Sequence, residues 1–81
     1  MKKTIHSKDY RKLIGLLREK REQLEITQLQ LASIIGTDQT FISKIENSER
    51  RIDVIELRTI CKALKISFPD FVKELEQHLE K

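Results

Sequence analysis

The stretch Gln28-Leu29-Gln30-Leu31-Ala32-Ser33-Ile34-Ile35-Gly36-Thr37-Asp38-Gln39-Thr40-Phe41-Ile42-Ser43-Lys44-Ile45-Glu46-Asn47 decides how this chain folds. Thr27, just before it, suits the N-cap of a helix, and Gln30 stands three residues later, where a capping box requires it. The helix so started carries Leu31, Ala32, Ile34 and Ile35 as its apolar residues. Gly36 follows at once and suits the left-handed backbone that stops a helix. Asp38 can cap a second helix, which carries Phe41, Ile42 and Ile45 and ends near Asn47 and Ser48. Ala32 faces the turn, where a larger side chain would push the two helices apart. Leu31, Ile35, Ile42 and Ile45 supply the contacts that fix the crossing. Two short helices joined by a glycine turn, crossing at about 90–120°, make a helix-turn-helix unit.

Similar blocks lie on either side. Upstream, Tyr10, Leu13, Ile14, Leu17 and Leu24 form one stripe, with Leu16 at its flank and Arg21 inside it, over a helix from about Ser7 to Leu24. Gly15 weakens the middle of that helix by roughly 1 kcal/mol relative to Ala. Downstream, Glu49-Arg50-Arg51-Ile52 is a polar connection. Asp53 then caps a fourth helix, with Glu56 at its capping-box position. That helix is expected to bury Leu57, Ile60, Cys61, Leu64 and one of Val54 and Ile55. Ser67 opens a fifth helix, with Pro69 in its first turn, where a missing N–H costs nothing. Its apolar stripe is Phe68, Phe71, Val72, Leu75 and Leu79. The expected fold is all-α: five short helices in one domain over residues 1–81. The core spans about 8–72, the helix-turn-helix 28–47 and the last helix 68–79.

Composition agrees and excludes much else. A chain of 81 residues has room for one small domain, near the lower limit for a self-sufficient core. Two glycines and one proline are too few for strands joined by tight turns. No apolar run approaches the roughly 18 residues that span a bilayer, so no membrane association is expected. The amino end is basic without the apolar stretch of a signal peptide. One cysteine excludes an internal disulfide framework, and the cytoplasm is the expected compartment. Cys61 reads as a small core residue, since no histidine or acid is placed to activate it. His6 and His78 belong to no ligand cluster, so no metal is expected. No glycine-rich phosphate loop and no nucleophile–base set is present; no catalytic residue, cofactor or small-molecule ligand is expected, and the protein is not expected to be an enzyme.

Charge permits a polyanionic partner without demanding one. The formal net charge is +3. Residues 1–25 carry eight Lys/Arg against four Asp/Glu, residues 26–52 three of each, and residues 53–81 five against six. The excess lies at the amino end.

The order of these features resembles the phage-repressor-type helix-turn-helix family, also called Xre or Cro-type. The matching residues are Thr27-Gln28-Leu29-Gln30-Leu31-Ala32, then Ile35-Gly36-Thr37, then Phe41-Ile42-Ser43-Lys44-Ile45-Glu46-Asn47. The family's small residue, glycine and branched apolar residue fall on Ala32, Gly36 and Ile42. Ile60-Cys61-Lys62-Ala63-Leu64, followed by Ile66-Ser67, resembles its closing helix and junction, so the likeness covers about residues 10–72. Three positions depart from it: Ser48 and Glu25 stand where glycine is usual, and Glu49 stands where many members have lysine. The resemblance implies a compact five-helix, lambda-repressor-like domain. It also implies that Arg21 and Glu46 pair the first helix with the third.

What the resemblance implies for function is sequence-specific binding of a double-stranded DNA operator by a dimeric transcriptional regulator, expected to be a repressor or autoregulator, probing the major groove with the third helix. With Ile42 and Ile45 facing the core, Gln39, Thr40, Ser43 and Lys44 project the other way. Gln39 suits adenine N6 and N7, Lys44 guanine O6 and N7, the Thr40 methyl a thymine methyl, and Ser43 several partners. The plainer reading of the same four is a solvated helix face. Gln28, at a helix start, and Asn47, Arg50 and Arg51, beyond the third helix, are expected at phosphates. For Arg50 and Arg51 a solvated loop is the competing reading. Phe41 either packs under the second helix or lies against the sugar-phosphate backbone. Phe71, Leu75 and Leu79 are expected at the interface of a homodimer, which would set two recognition helices about 34 Å apart. A protein-interaction module, such as an antitoxin or adaptor on the same fold, is the alternative.

Overall fold

The computed structural model describes residues 7–79, so His6 and the rest of the basic amino end lie outside the described residues. The described chain forms five helices and no strand: α1 (Lys8–Gln23), α2 (Gln28–Ile35), α3 (Gln39–Glu46), α4 (Val54–Ala63) and α5 (Phe68–His78). Every start is made by a short polar side chain that accepts from a backbone N–H three residues on. Ser7 takes that of Tyr10, Thr27 that of Gln30, Asp38 that of Phe41, Asp53 that of Glu56 and Ser67 that of Asp70. The Thr27–Gln30 and Asp53–Glu56 boxes are both closed.

The ends of α1 to α4 share one device. A left-handed residue reverses the chain, and the next N–H donates five residues back: Ile26 to the Arg21 carbonyl, Thr37 to Ala32, Glu49 to Lys44 and Ile66 to Cys61. The left-handed residue is Gly36 after α2, with φ of 78°, but Glu25, Ser48 and Lys65 elsewhere, with φ of 56°, 57° and 61°. The backbone therefore takes the turn that glycine favours at Glu25 and Ser48, although glycine is absent there.

α2 packs on α3 and α4, α4 on α5, and α1 on α3 and α5. The core between them holds Ile14, Leu16, Leu17, Leu31, Ala32, Ile42, Ile45, Ile52, Leu57, Ile60, Cys61, Leu64 and Phe71. Ala32 is completely buried, as close approach of the helices requires. Burial also pushes the Cys61 thiol up to about 11, so it is a core residue and not a nucleophile.

Several expected core positions differ. Leu24 is 45% exposed, because it caps α1 where the chain already turns away, while Leu16, expected at the flank, is buried. Ile34 is exposed on the outer side of α2. Neither Val54 nor Ile55 is buried; Ile52, in the loop before α4, reaches the core instead. Its position is fixed by its N–H, which donates to the Tyr10 hydroxyl at 3.0 Å. Phe71, expected between copies of the chain, is 2% exposed and belongs to the core of the single chain. The arc of α5 that faces α1 and α4 claims it. An ion pair from Lys20 to Glu74, 2.8 Å, ties α5 to α1.

Candidate nucleic-acid interface

α3 is amphipathic across a narrow boundary. Ile42 and Ile45 are each 1% exposed, whereas Gln39, Thr40 and Lys44 are exposed and Ser43 is half-buried. The structure brings all four expected reading residues together: Gln39, Thr40, Ser43 and Lys44 line one shallow surface depression, and Glu49 completes its rim. Glu49 reaches the rim because Ser48 turns the chain back and the Glu49 N–H donates to the Lys44 carbonyl at 2.8 Å. Its position there escaped the sequence reading, although Ser48 at a glycine position was the available signal.

A buried ion pair holds this face in place. Arg21 donates from Nε to Glu46 Oε2 at 2.7 Å and from Nη2 to Oε1 at 3.0 Å. Its Nη1 donates to the Ile26 carbonyl at 2.6 Å. The Glu46 side chain is 3% exposed and that of Arg21 9%. The Glu46 hydrogen bonds hold the Arg21 guanidinium above its ordinary pKa, against the opposing effect of burial. The pairing of the first and third helices is thus as the family resemblance implied.

From that pair a chain of amides leads outward. Gln28 Nε2 donates to Glu46 Oε1 at 3.0 Å, and Gln28 Oε1 accepts from Gln39 Nε2 at 3.4 Å. Gln28 stands at the start of α2 with its side chain already engaged by Glu46 and Gln39. The expected phosphate group at the far end divides. Asn47 is the exposed C-cap of α3 and donates to Ser43 Oγ at 3.4 Å. Arg51 is exposed and makes no ion pair among the described residues. Arg50, in contrast, grips Glu56 with two bonds of 2.9 and 2.8 Å and lies 4.6 Å above the Phe41 ring. Its guanidinium braces the loop against α3 and α4 rather than standing free for a phosphate. Phe41 is half-buried, packed on the core beneath Arg50.

An outward polar edge on a short helix, anchored from behind and set at an angle by a glycine turn, defines a helix-turn-helix domain. A family model described as helix-turn-helix matches residues 17–71. The control protein C.MunI of a Mycoplasma species is 28% identical over 58 residues, 72% of this chain and 78% of that protein. An XRE-family-like protein from Pseudomonas syringae pv. tomato str. DC3000 superimposes with a TM-score of 0.86 at 40% identity, covering 95% of this chain and 94% of that one. A mutant of the restriction-modification controller protein C.Esp1396I, with one tyrosine changed to phenylalanine, superimposes with a TM-score of 0.80 at 30% identity, covering 89% and 91%. The chain belongs to the Xre-type helix-turn-helix family of DNA-binding transcriptional regulators. No described helix is long and apolar enough to cross a membrane.

Proposed function

We propose that the protein is a sequence-specific regulator that binds a palindromic operator as a homodimer, with α3 of each copy in the major groove. The observation that carries this reading is the outward edge of α3: four polar side chains share one depression while the opposite edge is locked in the core. Gln39, Thr40, Ser43 and Lys44 read base edges. The first turn of α2 at Gln28, together with Asn47 and Arg51, holds the phosphates on either side. Arg50 contributes by shaping the loop. A dimer that reads successive major grooves sets its two α3 helices one helical turn of DNA apart, about 34 Å.

Contact between copies falls to the outer face of α5 and its C-cap, where Val72 is 42% exposed and Leu79 partly exposed, while Leu75 also packs against the core of its own chain. The likeness to two restriction-modification and control proteins supports a controller acting on a promoter in the cytoplasm, through occupancy of the operator and in proportion to protein concentration. Selection of bound sites from random duplexes tests the reading. A palindrome with half-sites one helical turn apart is the expected product. Failure to enrich any sequence, or a monomer by sedimentation both free and on DNA, overturns it.

A further inference from the structure

Glu49 stands where the motif that ends α3 would favour an apolar residue. After α1 and α4 the equivalent residue, whose N–H donates five residues back, is Ile26 or Ile66, and both pack against the core, while after α2 it is the exposed but uncharged Thr37. After α3 it is an exposed carboxylate on the rim of the depression lined by Gln39, Thr40, Ser43 and Lys44. No cation lies within ion-pair distance of it among the described residues, Lys44 included, although the Glu49 N–H is bonded to the Lys44 carbonyl at 2.8 Å. A carboxylate accepts hydrogen bonds and cannot donate them. Facing a duplex, it is repelled by phosphates and by the acceptor edges of guanine and thymine, and it is matched by the exocyclic amine of cytosine.

We propose that Glu49 is a specificity-determining residue that accepts a hydrogen bond from a cytosine N4 amine, beside the guanine O6 and N7 addressed by Lys44. A donor and an acceptor on one rim fit the two halves of a G·C pair or of neighbouring pairs, and the bond from the Glu49 N–H to the Lys44 carbonyl keeps their backbones adjacent. The carboxylate also weakens binding to every other sequence, since it adds repulsion with no compensating bond.

This rests on the DNA-reading proposal above, and one experiment separates the two. Sites are selected from random duplexes with the wild type, Glu49→Met and Lys44→Met, and affinities for the selected site and for random duplex are measured at two salt concentrations. Wild type is expected to select a cytosine at one position per half-site, by roughly tenfold over the other bases. Glu49→Met, which has neither the charge nor the acceptor oxygens, loses that preference, keeps the remaining positions and binds random duplex more tightly. Lys44→Met loses the preference for the adjacent or paired guanine. If Glu49→Met binds more tightly with an unchanged base profile, Glu49 only repels, and this proposal fails while DNA reading stands. If wild type selects nothing, the DNA reading itself fails. Circular dichroism melting of each variant confirms folding, which a change at an exposed residue leaves intact.

Discussion

Glu46→Ala tests how the recognition helix is held. The substitution removes both carboxylate bonds to Arg21 and the one to Gln28, leaving the guanidinium with the Ile26 carbonyl as its remaining partner. Breaking a buried pair from one side costs about 3–5 kcal/mol, because the surviving charge is desolvated and uncompensated. The Arg21 side chain is only 9% exposed, but it keeps a 2.6 Å bond, which argues for the lower end, about 3 kcal/mol. A domain of 81 residues has a total stability of roughly 4–12 kcal/mol, so the loss is a large fraction of it. In a thermal melt the midpoint is expected to fall by about 15 °C, and in urea the midpoint falls with an unchanged slope. The double variant Arg21→Met with Glu46→Leu removes both charges and restores apolar volume, so it is expected to recover most of the loss. A Glu46→Ala cost below about 1 kcal/mol, or a double variant as unstable as the two single losses added, would refute the account of α3 as anchored by a coupled ion pair.

The remaining expectations concern the loop and the turns. Arg51→Ala is expected to reduce the slope of log affinity against log salt by about 1, whereas Arg50→Ala leaves the slope nearly unchanged and lowers the melting temperature, as a salt titration with a parallel melt will read. The Arg50 hydrogen bonds hold the Glu56 carboxyl below its ordinary value of 4.5, so the unfolded chain takes up the proton first; that contribution is complete above pH 4.5 and is lost as pH falls through the lowered folded value. Urea midpoints between pH 5 and pH 3 are therefore expected to fall less steeply in Glu56→Gln than in wild type. Gly36→Ala meets no neighbouring atom yet must hold φ of 78°, for an expected loss of about 1–2 kcal/mol, whereas Lys65→Gly, relieving φ of 61°, is expected to gain up to about 1 kcal/mol by chemical denaturation.

The features legible in the sequence are those whose cause is local. A cap is one side chain reaching one N–H three residues away, and Thr27 with Gln30, Asp38, Asp53 with Glu56, and Ser67 could all be read directly. Gly36 and Ala32 were legible because each residue type has one physical use at a tight helix crossing. The outward placement of Gln39, Thr40, Ser43 and Lys44 followed from helical period once Ile42 and Ile45 were inward.

What escaped depends on distant chain. Period alone marks a stripe but not which arc a neighbour covers, so one of Val54 and Ile55 was expected inside and Phe71 between copies of the chain, whereas both of the former are exposed and Phe71 is buried. The burial of Ile52 depends on a hydroxyl 42 residues earlier in the chain. Arg50 looked like a free cation because Glu56 was already assigned to a cap, and its carboxylate performs both tasks. Lys65 carries no sequence signal for its left-handed turn, which the backbone bonds around it impose.

The loop between α3 and α4 is pinned at three separate points: Glu49 to the end of α3, Arg50 to Glu56 and over Phe41, and Ile52 to Tyr10. A rim fastened so often has little freedom to remodel itself around a ligand. Accommodation then falls to the duplex, which must twist or narrow its grooves to meet a stiff die. Steps that deform cheaply, such as TA or CA, would then favour binding at base pairs that no side chain touches, and operator choice would be written partly in the mechanics of the DNA.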